Sequence, residues 1–113
     1  LVDPRDLARL AVAAAQDIKA LDVLVLNLEG ISTVTDFFLI CTGRSSVQVQ
    51  AIAEHIEEKL AEAGCHYLRR EGFREARWIL LDYGSLVVHV FQNQEREFFA
   101  LERLWGDAEV VDF

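Results

Sequence analysis

Apolar residues in this chain fall in short runs broken by charge, and the spacing within those runs changes character along its length. Leu7, Leu10, Ala11, Ala14, Ile18 and Leu21 recur at threes and fours, which places them on one stripe of a helix. Asp3-Pro4 opens that helix, with the proline in the first turn, where its missing N–H costs nothing. Val23-Leu24-Val25-Leu26 is short, apolar and bounded by polar residues, as expected of a strand covered on both faces. A polar connection with Gly30 and Ser32 leads to a second such run, Phe37-Phe38-Leu39-Ile40-Cys41-Thr42. Ser45 and Gln48 then have the spacing of a capping box, in which the Ser45 hydroxyl accepts from the Gln48 N–H and the Gln48 side chain returns to the Ser45 backbone. Val49, Ile52, Ala53, Ile56, Leu60 and Ala63 trace the inward face of the following helix, and Gly64 suits its left-handed end. Further strands are expected at 67–70, 78–83 and 86–91, and a final short helix carries Phe98, Leu101 and Trp105 on one side. The order α-β-β-α-β-β-β-α predicts an α/β protein with a five-stranded mixed sheet and helices packed on it.

Gly84-Ser85 between two β-rich runs reads as a two-residue hairpin loop, since glycine at the first central position suits a type II′ turn. That register pairs Tyr83 with Leu86, Asp82 with Val87, Leu81 with Val88, Leu80 with His89, Ile79 with Val90 and Trp78 with Phe91. Alternation then sorts the side chains into two unlike faces. Ile79, Leu81, Tyr83, Leu86, Val88 and Val90 form an almost wholly apolar face that belongs under helices. Trp78, Leu80, Asp82, Val87, His89 and Phe91 form the other, which mixes large aromatics with an acid and an imidazole. Two accounts of this second face stand open. Either a helix or the C-terminal segment covers it, with Asp82 and His89 at the rim, or it is a recognition surface of the aromatic-and-charge composition common at binding hot spots.

At 113 residues the chain suits one domain, 1–113, around a single core. Lys+Arg 11 against Asp+Glu 19 gives a net charge of −8, which disfavours docking on bare nucleic acid and makes a basic protein the natural partner. Between Gln92 and Phe113, six acids face two bases, so negative charge gathers beside aromatic residues. That tail is either a solvated end or an acidic rim that steers a basic partner. No stretch approaches the roughly 20 apolar residues of a membrane span, and no signal-peptide pattern is present. The expectation is a soluble protein, cytoplasmic in a bacterium, with no membrane partner. Cys41 and Cys65 read as small hydrophobes, and no partner pair completes a metal set around Cys65-His66.

Catalytic patterns are scarce. His55, His66 and His89 sit in unrelated contexts, and no nucleophile elbow, P-loop or dinucleotide fingerprint occurs. The turn Thr42-Gly43-Arg44-Ser45-Ser46, between a strand and a helix, could hold an anion with its backbone N–H groups, but that signal is weak and the capping preference explains its serines better, without a ligand. Asp82 has no acidic neighbour two residues away with which to hold magnesium. A non-enzyme without metal or cofactor is expected, with a nucleotide-binding or nucleotidyltransferase-like enzyme using the Gly43–Ser46 turn as the alternative.

The stretches Asp22 to Leu26, Thr35 to Ser45, Ala51 to Ala53, Glu71-Gly72, Trp78 to Gly84, Val87 to Phe91 and Leu101 to Trp105, in this order, resemble the ribosomal silencing factor (RsfS, or Iojap) family over nearly the whole chain. The hairpin departs from the family's usual Gly-Asp by carrying Gly84-Ser85. The resemblance implies a nucleotidyltransferase-like fold without a working active site. It also implies binding to the universal large-subunit ribosomal protein fourteen, which sterically blocks joining of the small subunit and damps translation; organelle members are linked to large-subunit assembly. Carried over by position, the contact candidates are Trp78, Leu80, Asp82 and Tyr83, with Glu71 and Gly72 just before them. Alternation places Tyr83 inward, on the opposite face from the other three strand residues. Little direct nucleic-acid contact is expected, and a homodimer formed through the aromatic face is compatible with this function.

Overall fold

Two of the most apolar runs, β2 (Phe37–Gly43) and β5 (Leu86–Gln92), lie parallel at the centre of the sheet in the computed structural model, which describes residues 2–113 and leaves Leu1 outside the described residues. Parallel neighbours need a long crossover, and α2 (Ser46–Glu62) begins it. The chain then adds β3 (Arg69–Glu71) and β4 (Trp78–Asp82), with β4 antiparallel to β5 and β3 at the edge. On the other side β1 (Leu21–Asn27) pairs antiparallel with β2. The outermost strand is β6 (Glu109–Val111), which pairs with β1 through Val25, Leu26 and Asn27.

The sheet therefore has six strands in the order β3-β4-β5-β2-β1-β6, not the five expected. The added strand is three residues long, too short for alternation to show in sequence, and its pairing with β1 is what makes it a strand.

The helix α1 (Pro4–Asp17) packs with α2 on one face of the sheet, over Val25, Phe37, Leu39, Cys41, Ile79, Leu81, Val88 and Val90. Asp3 caps α1 by accepting from the Arg5 N–H at 2.8 Å. The buried stripe of α1 is rotated from the expected one. Leu10 is 39% exposed and Leu21 belongs to β1, whereas Ala8, Val12 and Ala15 are buried. Alanines let the helix axis approach the layer beneath it, so α1 seats on its small residues. In α2 the expected face is buried except Ala63, which caps the helix at the surface. The Ser45 hydroxyl accepts from the Gln48 N–H at 3.1 Å, while the Gln48 side chain accepts from Arg44 N–H and not from Ser45.

The expected last helix is broken in two, α3 (Asn93–Phe99) and α4 (Leu101–Leu104), by Ala100 at φ 47° and ψ 51°. This left-handed residue takes Phe98 off the stripe it would share with Leu101 and Trp105. Leu101 and Trp105 pack on the second face of the sheet against a smaller cluster of Leu26, Leu28, Ile40 and Phe91, whereas Phe98 is 80% exposed. The buried Arg96 spans the break, donating to Thr42 Oγ1 at 2.9 Å and to Glu102 Oε2 at 3.3 Å.

Candidate partner-binding surface

The hairpin holds the register expected from its turn, with Trp78 opposite Phe91, Leu80 opposite His89 and Asp82 opposite Val87. Gly84 has φ +86°, the positive value expected at the first loop position, but the tip is closed by the Ser85 N–H donating to the Tyr83 carbonyl at 3.1 Å, a γ-turn pattern and not the type II′ turn expected. The Asp82 carboxylate accepts from the Gly84 N–H at 2.8 Å, fixing the tip. The Ser85 carbonyl accepts from the Asp36 and Phe37 N–H groups at 3.2 and 3.1 Å, which ties the tip to the start of β2 by backbone alone. The side chain at position 85 is thereby free to vary.

The second face is covered over two strands and left partly open over a third. The columns of β5 and β2 are covered by the α3–α4 segment, so Phe91, Ile40 and His89 are buried. His89 is therefore not at the rim, as expected from its neighbours in sequence, but 4% exposed. The column of β4 is left half-buried at Trp78, Leu80 and Asp82. Alongside it on the edge strand, Glu71 lies opposite Leu80 and Arg69 opposite Asp82. Arg69 bridges the two acids, 2.9 Å from Glu71 and 3.8 Å from Asp82.

Glu71, Gly72, Trp78 and Leu80 line one shallow depression of about 220 Å³, which brings four of the six candidates together. Gly72 has a backbone reason to be glycine: at φ +77°, a Cβ there would run into the Trp78 carbonyl. Asp82 continues the strip towards the hairpin tip. Tyr83 does not join it; it packs against the helix-covered core and lines a separate recess with Glu54, Glu57, Glu58, His66 and Tyr67. Burial pushes the Tyr83 phenol well above its usual range, with Glu57 adding to the shift.

Trp78 is held on three sides. Its indole N–H donates to His89 Nδ1 at 3.1 Å, and its ring stacks on Phe91 at 4.9 Å and lies 4.7 Å from Phe99. Burial lowers the His89 pKa from 6.5 to about 4, so the imidazole is neutral and Nδ1 is a free acceptor at physiological pH. The proton consequently sits on Nε2, a buried atom with no hydrogen-bond partner. Fixing a half-exposed tryptophan in this way lowers the entropy it loses on binding.

The Thr42–Ser46 turn is committed to its helix. Its Arg44 N–H is taken by Gln48, and Gly43 packs so tightly that a Cβ would lie 2.8 Å from Val49 Cγ2. Cys41 is wholly buried, which pushes its thiol up to about 12. Among the described residues no group of three His, Cys, Asp or Glu side chains is placed to hold a metal, and no helix is long and apolar enough to cross a membrane.

The family model "Ribosomal silencing factor during starvation" matches residues 2–113. The chain belongs to the RsfS family. The Bacillus subtilis ribosomal silencing factor RsfS is 49% identical over 111 residues, covering 98% of this chain and 94% of that protein. Solved structures that share the fold include two from bacteria. Protein CV0518 from Chromobacterium violaceum superposes with a TM-score of 0.91 at 33% identity over 93% of this chain and 88% of its own. A Bacillus halodurans protein superposes at 0.85 with 47% identity over 96% and 99%.

Within this RsfS-family fold, sequence reasoning passed over Phe99, whose ring touches Trp78, and set Phe98 inward. The paired phenylalanines behind a charged run were the available signal, and the unforeseen break at Ala100 obscured it.

Proposed function

We propose that this ribosomal silencing factor binds the large ribosomal subunit through the universal large-subunit protein fourteen and, by occupying the space the small subunit needs, prevents the two from joining. The observation that carries this reading is the half-buried Trp78-Leu80-Asp82 strip, beside Glu71 and Gly72, on the part of the sheet that α3 touches only at Trp78, through Phe99. An ordered indole beside an aliphatic floor has the make-up of an interface anchor, and the acids at its edge match lysine and arginine. With a net charge of −8, contact falls on a basic ribosomal protein and direct RNA contact is slight. The work done is occlusion in the cytoplasm, with no reaction catalysed and no cofactor used; the nucleotidyltransferase-like architecture that the family resemblance implies would serve as a scaffold.

Sedimentation with separated ribosomal subunits tests this. The chain is expected to travel with the large subunit and not the small one, and to lower the yield of joined particles when magnesium is raised. Co-sedimentation with the small subunit, or undiminished joining at saturating protein, contradicts the reading. Tight binding of a nucleotide with magnesium in place of either effect favours an enzyme.

A further inference from the structure

A strip from Trp78 to Asp82 is short. Four residue steps of extended chain span about 13 Å, whereas a stable interface engages on the order of 20 residues a side. The large-subunit contact proposed above therefore has to continue onto neighbouring elements, and the aromatic rings mark one direction. Phe99 is 43% exposed with its ring 4.7 Å from Trp78, and Phe98 is 80% exposed with its ring 5.1 Å from Phe99, edge to face. The three rings form an unbroken row from the floor of the depression onto the outer side of α3. Nothing in the fold requires an exposed phenylalanine at 98, since it joins neither core cluster. Exposed Glu97 precedes Phe98 on the same helix, and Glu71, ion-paired with Arg69, lines the depression with Trp78, so an acid stands near each end of the row. An apolar ridge with an acidic border is complementary to a basic protein surface bearing an apolar hollow.

We infer that Phe98 and Phe99 are further contact residues, which extend the large-subunit-binding surface from β4 onto α3 and seat against the same basic ribosomal protein. This rests on the proposed function, and it makes the break at Ala100 functional: the left-handed residue ends α3 early and leaves Phe98 facing out.

The test measures affinity for purified large subunits with the full chain and three variants, Phe98→Ser, Trp78→Ala and Val47→Ser, each checked for folding by circular dichroism. Val47 is an equally bare apolar residue, 74% exposed on α2, across the sheet. Phe98→Ser removes no core contact and is expected to bind about tenfold more weakly, with Val47→Ser unchanged. If Trp78→Ala weakens binding and Phe98→Ser does not, the surface stops at β4 and the inference fails while the proposed function stands. If neither weakens it, the proposed function fails. Equal losses from Phe98→Ser and Val47→Ser would show a general effect of exposed apolar area and also overturn the inference. A second copy of this chain is the other occupant; light scattering in which Phe98→Ser dissociates a dimer without lowering large-subunit affinity would establish that instead.

Discussion

The two faces of the sheet are built from adjacent residues of the same strands and have opposite chemistry. Under α1 and α2 the face is mainly aliphatic, with Ile79, Leu81, Val88 and Val90 wholly buried and only border residues such as Val23 and Tyr83 partly exposed. On the other side the strands present Trp78, Leu80, Asp82, His89 and Phe91, and the short helices α3 and α4 reach across only part of them. The first face is finished by folding. The second is finished over β5 and β2, and left half-open over β4. Interfaces and cores both exclude water, so a half-open face with a rigidly held tryptophan is best understood as a surface whose remaining cover comes from another molecule.

Substitutions on the two faces should separate stability from binding. Leu81→Ala empties space beneath α2 and is expected to cost about 3 kcal/mol in urea unfolding. A loss well below about 1 kcal/mol would deny that this is the main core.

The next effect depends on pH. His89 has its pKa lowered in the folded state, from 6.5 to about 4, so the unfolded chain binds a proton that the native one refuses between those values. Stability linked to His89 is therefore complete above about pH 6.5 and falls as the pH drops towards 4, by about 3 kcal/mol in all. Subtracting the pH profile of His89→Gln, which keeps an acceptor for the Trp78 indole but does not titrate, isolates this contribution. Parallel profiles for the two proteins would show that His89 is not the neutral buried acceptor described here.

The smallest effect on the fold belongs to Leu80. Leu80→Ala is expected to change unfolding free energy by less than about 1 kcal/mol yet weaken large-subunit binding about fivefold. One position along the strand, the consequence moves from folding to recognition.

Much of this contrast was legible in the sequence because hairpin alternation is rigid. Gly84-Ser85 set the turn, the turn set the register, and the register assigned every side chain from Trp78 to Phe91 to a face. The same logic put Tyr83 apart from Trp78, where the structure has it, although the family resemblance grouped them. What could not be read is how far the C-terminal segment reaches. The fate of His89 depends on α3 and α4 folding back over β5, and that path turns on Ala100, a residue type that carries no signal for a left-handed conformation. β6 was equally hidden, since its pairing with β1 is made between residues far apart in sequence. Local pattern thus revealed the strip, while its border and the exposed Phe98 and Phe99 came from tertiary packing.

The central claim is that the β4 strip contacts the large subunit, and the most direct measurement is the affinity of Trp78→Ala for purified large subunits. The indole also packs on Phe91 and satisfies His89, so the variant is measured at a temperature where circular dichroism shows it folded, with Leu80→Ala beside it as a variant that spares those contacts. The account predicts at least a tenfold loss for Trp78→Ala, about 1.4 kcal/mol or more, and a smaller loss for Leu80→Ala. Wild-type affinity in both folded variants would contradict it.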